Sequence, residues 1–337
     1  MPQRPALARP AHRSATRTRR RRRVVRAAVV AALLPALLVG EAAPVDGTGV
    51  QATLPLPPLA TPTAPGGWSG FDVSPDGRAF WAVTDRGYRL EGTLRRENGR
   101  LAGIAAGPAT RLAPLRTQSS PEPADSEGLD AGGPDGVVTV SHEGWTRLRA
   151  YRPGDSRATW VRDLPGWARF PKNRGLEALA RDAAGRVFTL PELPEAPGDT
   201  FPLLRYDPRP NWATGIWQIA ARITSDDGWA AVGADFGPDG DFYLLEREIV
   251  LPGFRSRIRR FDLSGARPDV PPTLRGTVVY ASSLGRHGNL EGIGIWQDAE
   301  GRLRATMVSD DNGLRLMRGE MVEIVLPASD AGEASGS

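Results

Sequence analysis

Acidic side chains recur in this chain at matching places in a repeated segment. Each copy opens on an acidic or small residue, passes through a glycine turn, and ends a second apolar stretch on a carboxylate. The copy that begins at Glu127 turns at Asp135-Gly136 and ends at Glu143. The five copies begin at residues 69, 127, 177, 232 and 291, which are 58, 50, 55 and 59 residues apart. This spacing predicts one structural unit used five times.

The two carboxylates of one copy are predicted to lie close together. Glu127 and Glu143 are 16 residues apart with the turn midway, so they mark the open end of an antiparallel hairpin. Paired side chains approach within about 5 Å when they share a face. If every copy presents this end on one face, the acids form two concentric sets. The opening set is Glu127, Glu177 and Glu291, and the closing set is Asp85, Glu143, Glu192, Glu246 and Asp310, with Asp311 beside it.

So many carboxylates around one opening would raise one another's pKa unless positive charge compensated them. Oxygen ligands in a chain without cysteine favour calcium over magnesium, because calcium accepts roughly six to eight oxygens in loose geometry. We therefore predict a Ca²⁺ cofactor and two catalytic carboxylates, Glu127 and Glu291, that position or deprotonate a water. The predicted metal ligands are Asp85, Glu143, Glu177, Glu192, Glu246, Asp310 and Asp311.

Basic residues accompany these acids. Arg86, Arg174 and Arg247 are predicted to present planar guanidinium groups to an anionic substrate. His142, next to Glu143 at the edge of the site, is a predicted substrate-binding residue and a candidate general acid. Alternatively, the acids only cap turns and pair with these arginines as contacts between blades.

Signatures of other hydrolases are incomplete. Ser69 lacks the second glycine of a G-x-S-x-G elbow, which would stand where Phe71 is. Arg286-His287-Gly288 lacks the arginine and proline that should follow in a histidine acid phosphatase. His142 and His287 are the histidines beyond the N-terminal segment, so a Ser-His-Asp system or a histidine zinc site has few candidates.

The N-terminal segment has the pattern of an export signal. Ten arginines precede an apolar run at residues 27–39, which is too short to span a bilayer, since about 20 residues are needed. We predict a signal peptide at 1–42 and a secreted or periplasmic protein. An uncleaved anchor is the alternative, and Arg19 to Arg23 suits either the twin-arginine or the general secretory route. Removal of 1–42 leaves 33 basic and 38 acidic residues, a net charge of −5, which argues against nucleic-acid binding.

Strands must position these acids. Short β-branched and aromatic runs at 79–83, 137–140, 186–190 and 242–245 are bounded by turns, and sustained helical periodicity is absent beyond the N-terminal segment. A period of about 50 residues predicts an all-β fold, a single β-propeller with four-stranded blades. Roughly 290 mature residues give five or six blades, and we favour six.

The remaining sequence fits around this propeller, which we place at 67–327. Residues 43–66 are a Pro/Thr/Ala-rich linker or lead-in strand, and 328–337 are a disordered tail. The apolar stretch 321–326 is expected to close the ring by pairing with the lead-in.

Seven short segments carry a resemblance to a known family: Gly67-Trp68-Ser69-Gly70-Phe71, Thr84-Asp85-Arg86, Ser126-Glu127-Gly128, Asn173-Arg174-Gly175-Leu176-Glu177, Leu245-Glu246-Arg247, Asn289-Leu290-Glu291-Gly292-Ile293 and Ser309-Asp310-Asp311-Asn312. In these segments the chain resembles the phytase-like family ("esterase-like activity of phytase"), a group of exported bacterial β-propeller proteins. The resemblance spans roughly residues 66–326. It implies a propeller fold and, by the family's name, hydrolysis of phosphate or carboxyl esters.

Three functions follow as hypotheses. The first is calcium-assisted hydrolysis of phosphate esters. The second is a lactonase or carboxylesterase in which one metal polarises a carbonyl, with Glu291, Asn173 and Asp310 as possible members of the site. The third is a non-catalytic propeller that binds a ligand or partner at its mouth. We expect a small anionic or ester substrate, a monomer, and no membrane contact after signal cleavage.

Overall fold

The computed structural model describes residues 49–56, 67–113, 125–133, 136–143, 146–166, 168, 170, 175–196, 198–267, 269–311 and 317–328. The chain divides into two units, residues 1–43 and 44–337, and all described residues belong to the second. The predicted signal peptide, most of the predicted linker and tail, and the candidates Asn173 and Arg174 lie outside the described residues. In the described ranges no helix has the length and apolar character needed to cross a membrane.

The regular elements of the described ranges are β-strands, and no helix is among them. In chain order the strands are β1 Val50–Pro55, β2 Trp68–Val73, β3 Ala79–Thr84, β4 Tyr88–Glu97, β5 Arg100–Ala106, β6 Thr110–Arg111, β7 Ser126–Asp130, β8 Val138–His142, β9 Arg147–Tyr151, β10 Trp160–Asp163, β11 Leu176–Arg181, β12 Val187–Pro191, β13 Thr200–Asp207, β14 Ile216–Thr224, β15 Trp229–Phe236, β16 Phe242–Val250, β17 Gly253–Phe261, β18 Thr273–Leu274, β19 Thr277–Ala281, β20 Asn289–Gln297, β21 Leu303–Asp310 and β22 Glu320–Val325.

The strands form five sheets, which are the blades of a β-propeller. From the centre outwards, blade 1 is β2-β3-β4-β5 with β6 against β4, and blade 2 is β7-β8-β9-β10. Blade 3 is β11-β12-β13-β14 with β18 added, blade 4 is β15-β16-β17-β19, and blade 5 is β20-β21-β22-β1. The innermost strands contact one another in the ring order β2, β7, β11, β15 and β20, and β20 contacts β2.

The prediction of six blades is wrong, because the described chain forms five. Each copy of the repeat supplies the two inner strands of one blade. The residues between the copies form longer or additional outer strands in these five blades, so chain length divided by the period overestimates the number of blades. Strands β13 and β14 are eight and nine residues long, and the short strands β6 and β18 add to blades that already have four.

Both ends of the propeller sequence complete blade 5. Strand β1 pairs antiparallel with β22, with Thr53 opposite Val322 and Pro55 opposite Glu320. This is the closure expected for the stretch 321–326. It joins the first described strand to the last.

Turns and interblade packing fix the hairpins. The turn glycines of the five copies all have positive φ, a conformation that costs residues with a Cβ: Gly77 66°, Gly136 71°, Gly185 80°, Gly240 86° and Gly301 79°. The four predicted strand segments correspond to β3, β8, β12 and β16. Apolar side chains then pack between neighbouring blades, as Tyr243 and Leu245 of blade 4 do with Ile293 and Met307 of blade 5.

Candidate functional site at the channel mouth

Each innermost strand contains a β-bulge at the same place. In blade 2, Ser126 pairs with His142 and the next registered pair is Leu129 with Val140, so Glu127 lies in the bulge. The other four innermost strands show the same interruption. A bulge inserts one residue and re-aims a side chain. We call the five bulge residues the inner ring: Ser69, Glu127, Glu177, Val232 and Glu291.

The residue after each inner-ring position lets neighbouring strands approach closely. A Cβ on Gly128 would lie 2.5 Å from the carbonyl oxygen of Glu177 on the next blade, so no side chain fits there. The same approach recurs between Gly70 and the carbonyl of Glu127, Gly233 and that of Glu291, and Gly292 and that of Ser69. Blade 3 has Ala178 at this place. The glycines therefore make the inner ring narrow.

A second set of residues surrounds the inner ring where the second strands pass it. In each blade the residue just before the bulge pairs with a residue of the second strand, and the residue that follows this partner belongs to the second set. We call this set the outer ring: Asp85, Glu143, Glu192, Arg247 and Asp310. The structure thus brings together four acids of the predicted closing set. We call the end of the channel that the inner and outer rings surround the mouth. The fifth position, in blade 4, belongs to Arg247.

Glu246, a predicted metal ligand, lies on the other face of β16. Ala231 pairs with Glu246, so the residue at the outer-ring position is one later. A shift of one residue along a strand turns the side chain to the opposite face. Glu246 is completely buried, and its two oxygens accept hydrogen bonds of 2.6–3.2 Å from Arg257 and Arg259. Its contacts are those of an internal ion pair of blade 4, away from the mouth.

Three carboxylates converge on the blade 2 side of the mouth. Oxygens of Asp125, Glu127 and Glu143 all lie within 4.8 Å of one another, and the three side chains are partly exposed. Calcium binds oxygen at about 2.3–2.6 Å, so oxygens on opposite sides of one ion are about 5 Å apart. This oxygen-only donor set therefore fits a calcium ion. Sequence analysis missed Asp125, although its position two residues before Glu127 places it at the same end of the strand.

Arg247 neutralises the opposite side of the mouth. Its Nη1 donates to Oε1 of Glu291 and, over 2.7 Å, to Oδ1 of Asn289, while Nη2 donates over 3.0 Å to Oε1 of Glu192. Asn289 in turn donates to Oε1 of Glu291 over 2.7 Å. Asn289 is at the place in blade 5 that Asp125 has in blade 2, two residues before the inner ring.

The pKa values of the inner-ring acids show how unevenly charge is balanced. Burial raises the pKa of Glu127 well above its usual value, and the charges of Glu177 and Glu291 raise it further. Burial and then Glu192 and Glu291 likewise raise the pKa of Glu177, against which Arg247 acts. For Glu291, burial raises the pKa and Arg247 is the main opposing influence. Among the described residues, therefore, no positive charge is among the main influences on Glu127, whereas Arg247 is one for Glu177 and for Glu291.

Comparison with known protein families identifies a match over most of the chain. A model of the phytase-like family, described as "Esterase-like activity of phytase", matches residues 63–313. The chain belongs to the phytase-like family. No curated protein sequence shows a significant match to it.

Solved structures give distant likenesses to this phytase-like protein. The luciferin-regenerating enzyme is 10% identical, over 78% of this chain and 93% of that one, with a TM-score of 0.41. A protein of unknown function from Dyadobacter fermentans is 12% identical, over 86% and 89%, with a TM-score of 0.42. The β-propeller domain of Cps50 (Swd1) from Myceliophteria thermophila is 10% identical, over 79% and 72%, with a TM-score of 0.38. Likenesses this distant carry no argument about activity.

The other predicted site residues of the phytase-like protein lie around the rim. Arg86 is exposed and lies 3.6 Å from the carboxylate of Asp85. Asp310 is buried, and its carboxylate occupies the space that a side chain on Gly67 of blade 1 would need. Asp311 follows it at the surface of blade 5 and is half-buried.

His142, predicted to bind substrate, is buried inside blade 2. Its Nδ1 lies 3.5 Å from the hydroxyl of Ser126. Burial lowers its pKa to about 3, and the charge of Arg147 lowers it in the same direction. The imidazole is therefore neutral at physiological pH and brings no charge to the mouth.

A second acidic set lies three residues after the inner ring and was missed by sequence analysis. Asp72 accepts a 2.7 Å hydrogen bond from the backbone N–H of Ala131, and Asp235 accepts one of 2.6 Å from Ile295. Asp130 pairs with Arg181 at 2.7 Å. Each contact joins one blade to the next, so this set holds the ring of blades together. Burial and then the charge of Asp130 raise the pKa of Asp72 to about 7.

Proposed function

We propose that this phytase-like protein hydrolyses phosphate esters at the channel mouth with the assistance of a bound calcium ion. The observation that carries this proposal is the convergence of Asp125, Glu127 and Glu143, whose oxygens lie within 4.8 Å of one another. The family membership adds hydrolysis as an expectation.

The charge distribution supports a cation at this place. Arg247 contacts Glu192 and Glu291 but is not among the charges that act most strongly on Glu127, all of which are negative. A divalent ion held by Asp125, Glu127 and Glu143 would place positive charge beside Glu127. When bound, it would stabilise negative charge that develops on phosphoryl oxygens.

Arg247 supports an anionic substrate. The Nε atom of Arg247 is buried at the mouth and has no hydrogen-bond partner among the described residues. A buried guanidinium donor without a partner costs free energy, and a phosphoryl oxygen is a strong acceptor for it. The same guanidinium holds Glu291 and Glu192, which fixes its orientation towards the mouth.

The geometry favours a change in the roles of the glutamates. Glu127 belongs to the proposed cation group, and Glu291 is held by Arg247 and Asn289. Glu177 is next to Glu127 in the inner ring and lies outside the cation group. Because its pKa is raised, it retains a proton closer to neutral pH than an ordinary glutamate, and this suits proton transfer to a leaving group or from water. We assign this role to Glu177.

The test is an assay of the full chain on phytate and simple phosphomonoesters, with calcium and with chelator. We expect phosphate release that requires calcium. We expect Asp125→Asn to weaken calcium binding at least about tenfold, and Asp269→Asn, which changes an exposed aspartate outside both rings, to leave it unchanged. Hydrolysis that ignores chelator, or no hydrolysis of any phosphate ester, would remove the proposal.

A metal-dependent lactonase or carboxylesterase is the second candidate. Asn289 favours it, because its amide lies among the mouth residues and supplies a neutral donor suited to an ester carbonyl. Turnover of lactones without turnover of phosphate esters would support this alternative. Calcium-dependent stabilisation without turnover of either class would indicate a binding propeller.

A further inference from the structure

Ser69 is the polar, uncharged member of the inner ring. It occupies in blade 1 the bulge position that Glu127, Glu177 and Glu291 occupy in their blades. It is only 4% exposed, and its hydroxyl has no hydrogen-bond partner among the described residues. Burying a hydroxyl without a partner is unfavourable, and such a group in a native structure calls for an explanation.

The fold itself does not require this hydroxyl. Val232 holds the same bulge position in blade 4 with an apolar side chain and the same 4% exposure. An apolar residue therefore fills the ring position there and leaves no buried donor without a partner. A partner for the Ser69 hydroxyl would then come from outside the described protein groups.

The position of Ser69 indicates which partner this is. Ser69 and Glu291 are neighbours in the ring, since the carbonyl oxygen of Ser69 faces Gly292. Arg247 donates to Glu291 from the other side, and its Nε atom is also a buried donor without a partner among the described residues. In the described part of the chain, two buried donors without partners thus lie on either side of Glu291. Donors of this kind suit an acceptor group with several oxygens.

We propose that Ser69 is a substrate-binding residue whose hydroxyl donates a hydrogen bond to an oxygen of a phosphoryl group, alongside Nε of Arg247. The inference rests on the proposed function and adds a specific contact to it. Ser69 binds in this role and forms no covalent bond, in keeping with the missing second glycine of a nucleophile elbow.

The test measures binding of inorganic phosphate to the full chain by calorimetry in the presence of calcium, together with kcat and KM for a phosphomonoester. We expect Ser69→Ala to weaken phosphate binding about 10- to 100-fold, the loss of one hydrogen bond to a charged group. We expect Ser69→Thr, which keeps the hydroxyl, to restore most of the affinity. Val279→Ala, which truncates an equally buried side chain in β19, the outermost strand of blade 4, is the control and should bind phosphate like the wild type.

The outcomes separate this inference from the proposed function. If the wild type binds phosphate and Ser69→Ala binds it equally well, Ser69 is not a substrate-binding residue, and the proposed function is untouched. If Ser69→Ala and Val279→Ala weaken binding equally, the effect is one of packing and the inference is also overturned. If the wild type neither binds phosphate nor hydrolyses phosphate esters, the proposed function fails and the inference with it.

Discussion

Arg247 offers the sharpest test of how the mouth is balanced electrostatically. Replacing it by methionine keeps an unbranched side chain and removes the guanidinium from Glu192 and Glu291. Breaking a buried ion pair costs about 3–5 kcal/mol, because the partner charge stays behind. The two glutamates are 22% and 16% exposed, so water screens them in part and we expect the lower end, about 3 kcal/mol. In a domain of this size that corresponds to a fall in Tm of about 6–12 °C.

The loss should depend on pH. Arg247 opposes the rise in pKa of Glu177 and Glu291, so its removal raises both folded-state values further above the unfolded ones. A carboxyl whose pKa is higher in the folded state than in the unfolded state lowers the free energy of unfolding as pH increases, because the folded state binds the proton more tightly. The deficit of Arg247→Met should therefore be larger at pH 8 than at pH 5.

The assay is thermal unfolding in chelator at both pH values. Arg267→Met is the control, since Arg267 and its partner Asp269 are 75% and 60% exposed and such pairs contribute less than about 1 kcal/mol. Equal shifts in Tm for the two variants, or a shift for Arg247→Met that is the same at pH 5 and pH 8, would refute the electrostatic reasoning.

Three further predictions concern the ring and the channel. Gly128→Ala places a Cβ 2.5 Å from the carbonyl of Glu177 and should destabilise the protein by about 1–3 kcal/mol in urea unfolding, whereas Gly265→Ala, with open space around it, should not; equal stability of the two would contradict the close approach. Asp72 has a pKa of about 7 against 3.8 in an ordinary aspartate, so the free energy of unfolding should fall between about pH 4 and pH 7, by at most about 1.4 kcal/mol per pH unit. This slope should flatten in Asp72→Asn, and an unchanged slope would contradict the raised pKa of Asp72. Glu127→Gln removes a partly exposed carboxylate that neighbouring acids repel, so it should raise the Tm in chelator at pH 8 and abolish the increase that calcium gives the wild type; a retained calcium response would place the cation elsewhere.

The sequence predicts much of the fold because the repeat is local. A turn glycine, two short strands and a carboxylate at each end define a hairpin, and five copies define five blades. The sixth blade was an error of counting, since chain length does not reveal how many residues each blade spends on outer strands. Strand β18, which follows β17 in the chain but joins blade 3, illustrates a placement that only tertiary structure fixes.

The inner ring of the site could also be read from the sequence. Glu127, Glu177 and Glu291 each occupy the bulge of their own strand, and each stands directly before a small residue that lets neighbouring strands approach. The outer-ring residue could be identified from the sequence in blades 1, 2, 3 and 5 but not in blade 4. Arg247 follows Val232 by 15 residues, the same spacing that separates Glu192 from Glu177, whereas Glu246 falls one residue short. A strict comparison of spacings would have exchanged the two.

The interblade aspartates had a signal as well. Asp72, Asp130 and Asp235 each follow an inner-ring position by three residues, in segments that read Ser-Gly-Phe-Asp, Glu-Gly-Leu-Asp and Val-Gly-Ala-Asp. What no pattern could supply is their partners. The contacts with Ala131, Arg181 and Ile295 depend on how close neighbouring blades lie, and the glycines of the inner strands set that distance.

The most direct measurement of the central claim is phosphate release as a function of free calcium, with calcium binding measured by calorimetry on the same samples. We predict that hydrolysis of a phosphomonoester by the wild type rises and saturates with calcium, with a midpoint that matches the binding constant. In Asp125→Asn both the midpoint and the binding constant should move together, by at least about tenfold. Hydrolysis that persists in chelator, or calcium binding that Asp125→Asn leaves unchanged, would contradict a calcium-assisted phosphoesterase at this mouth.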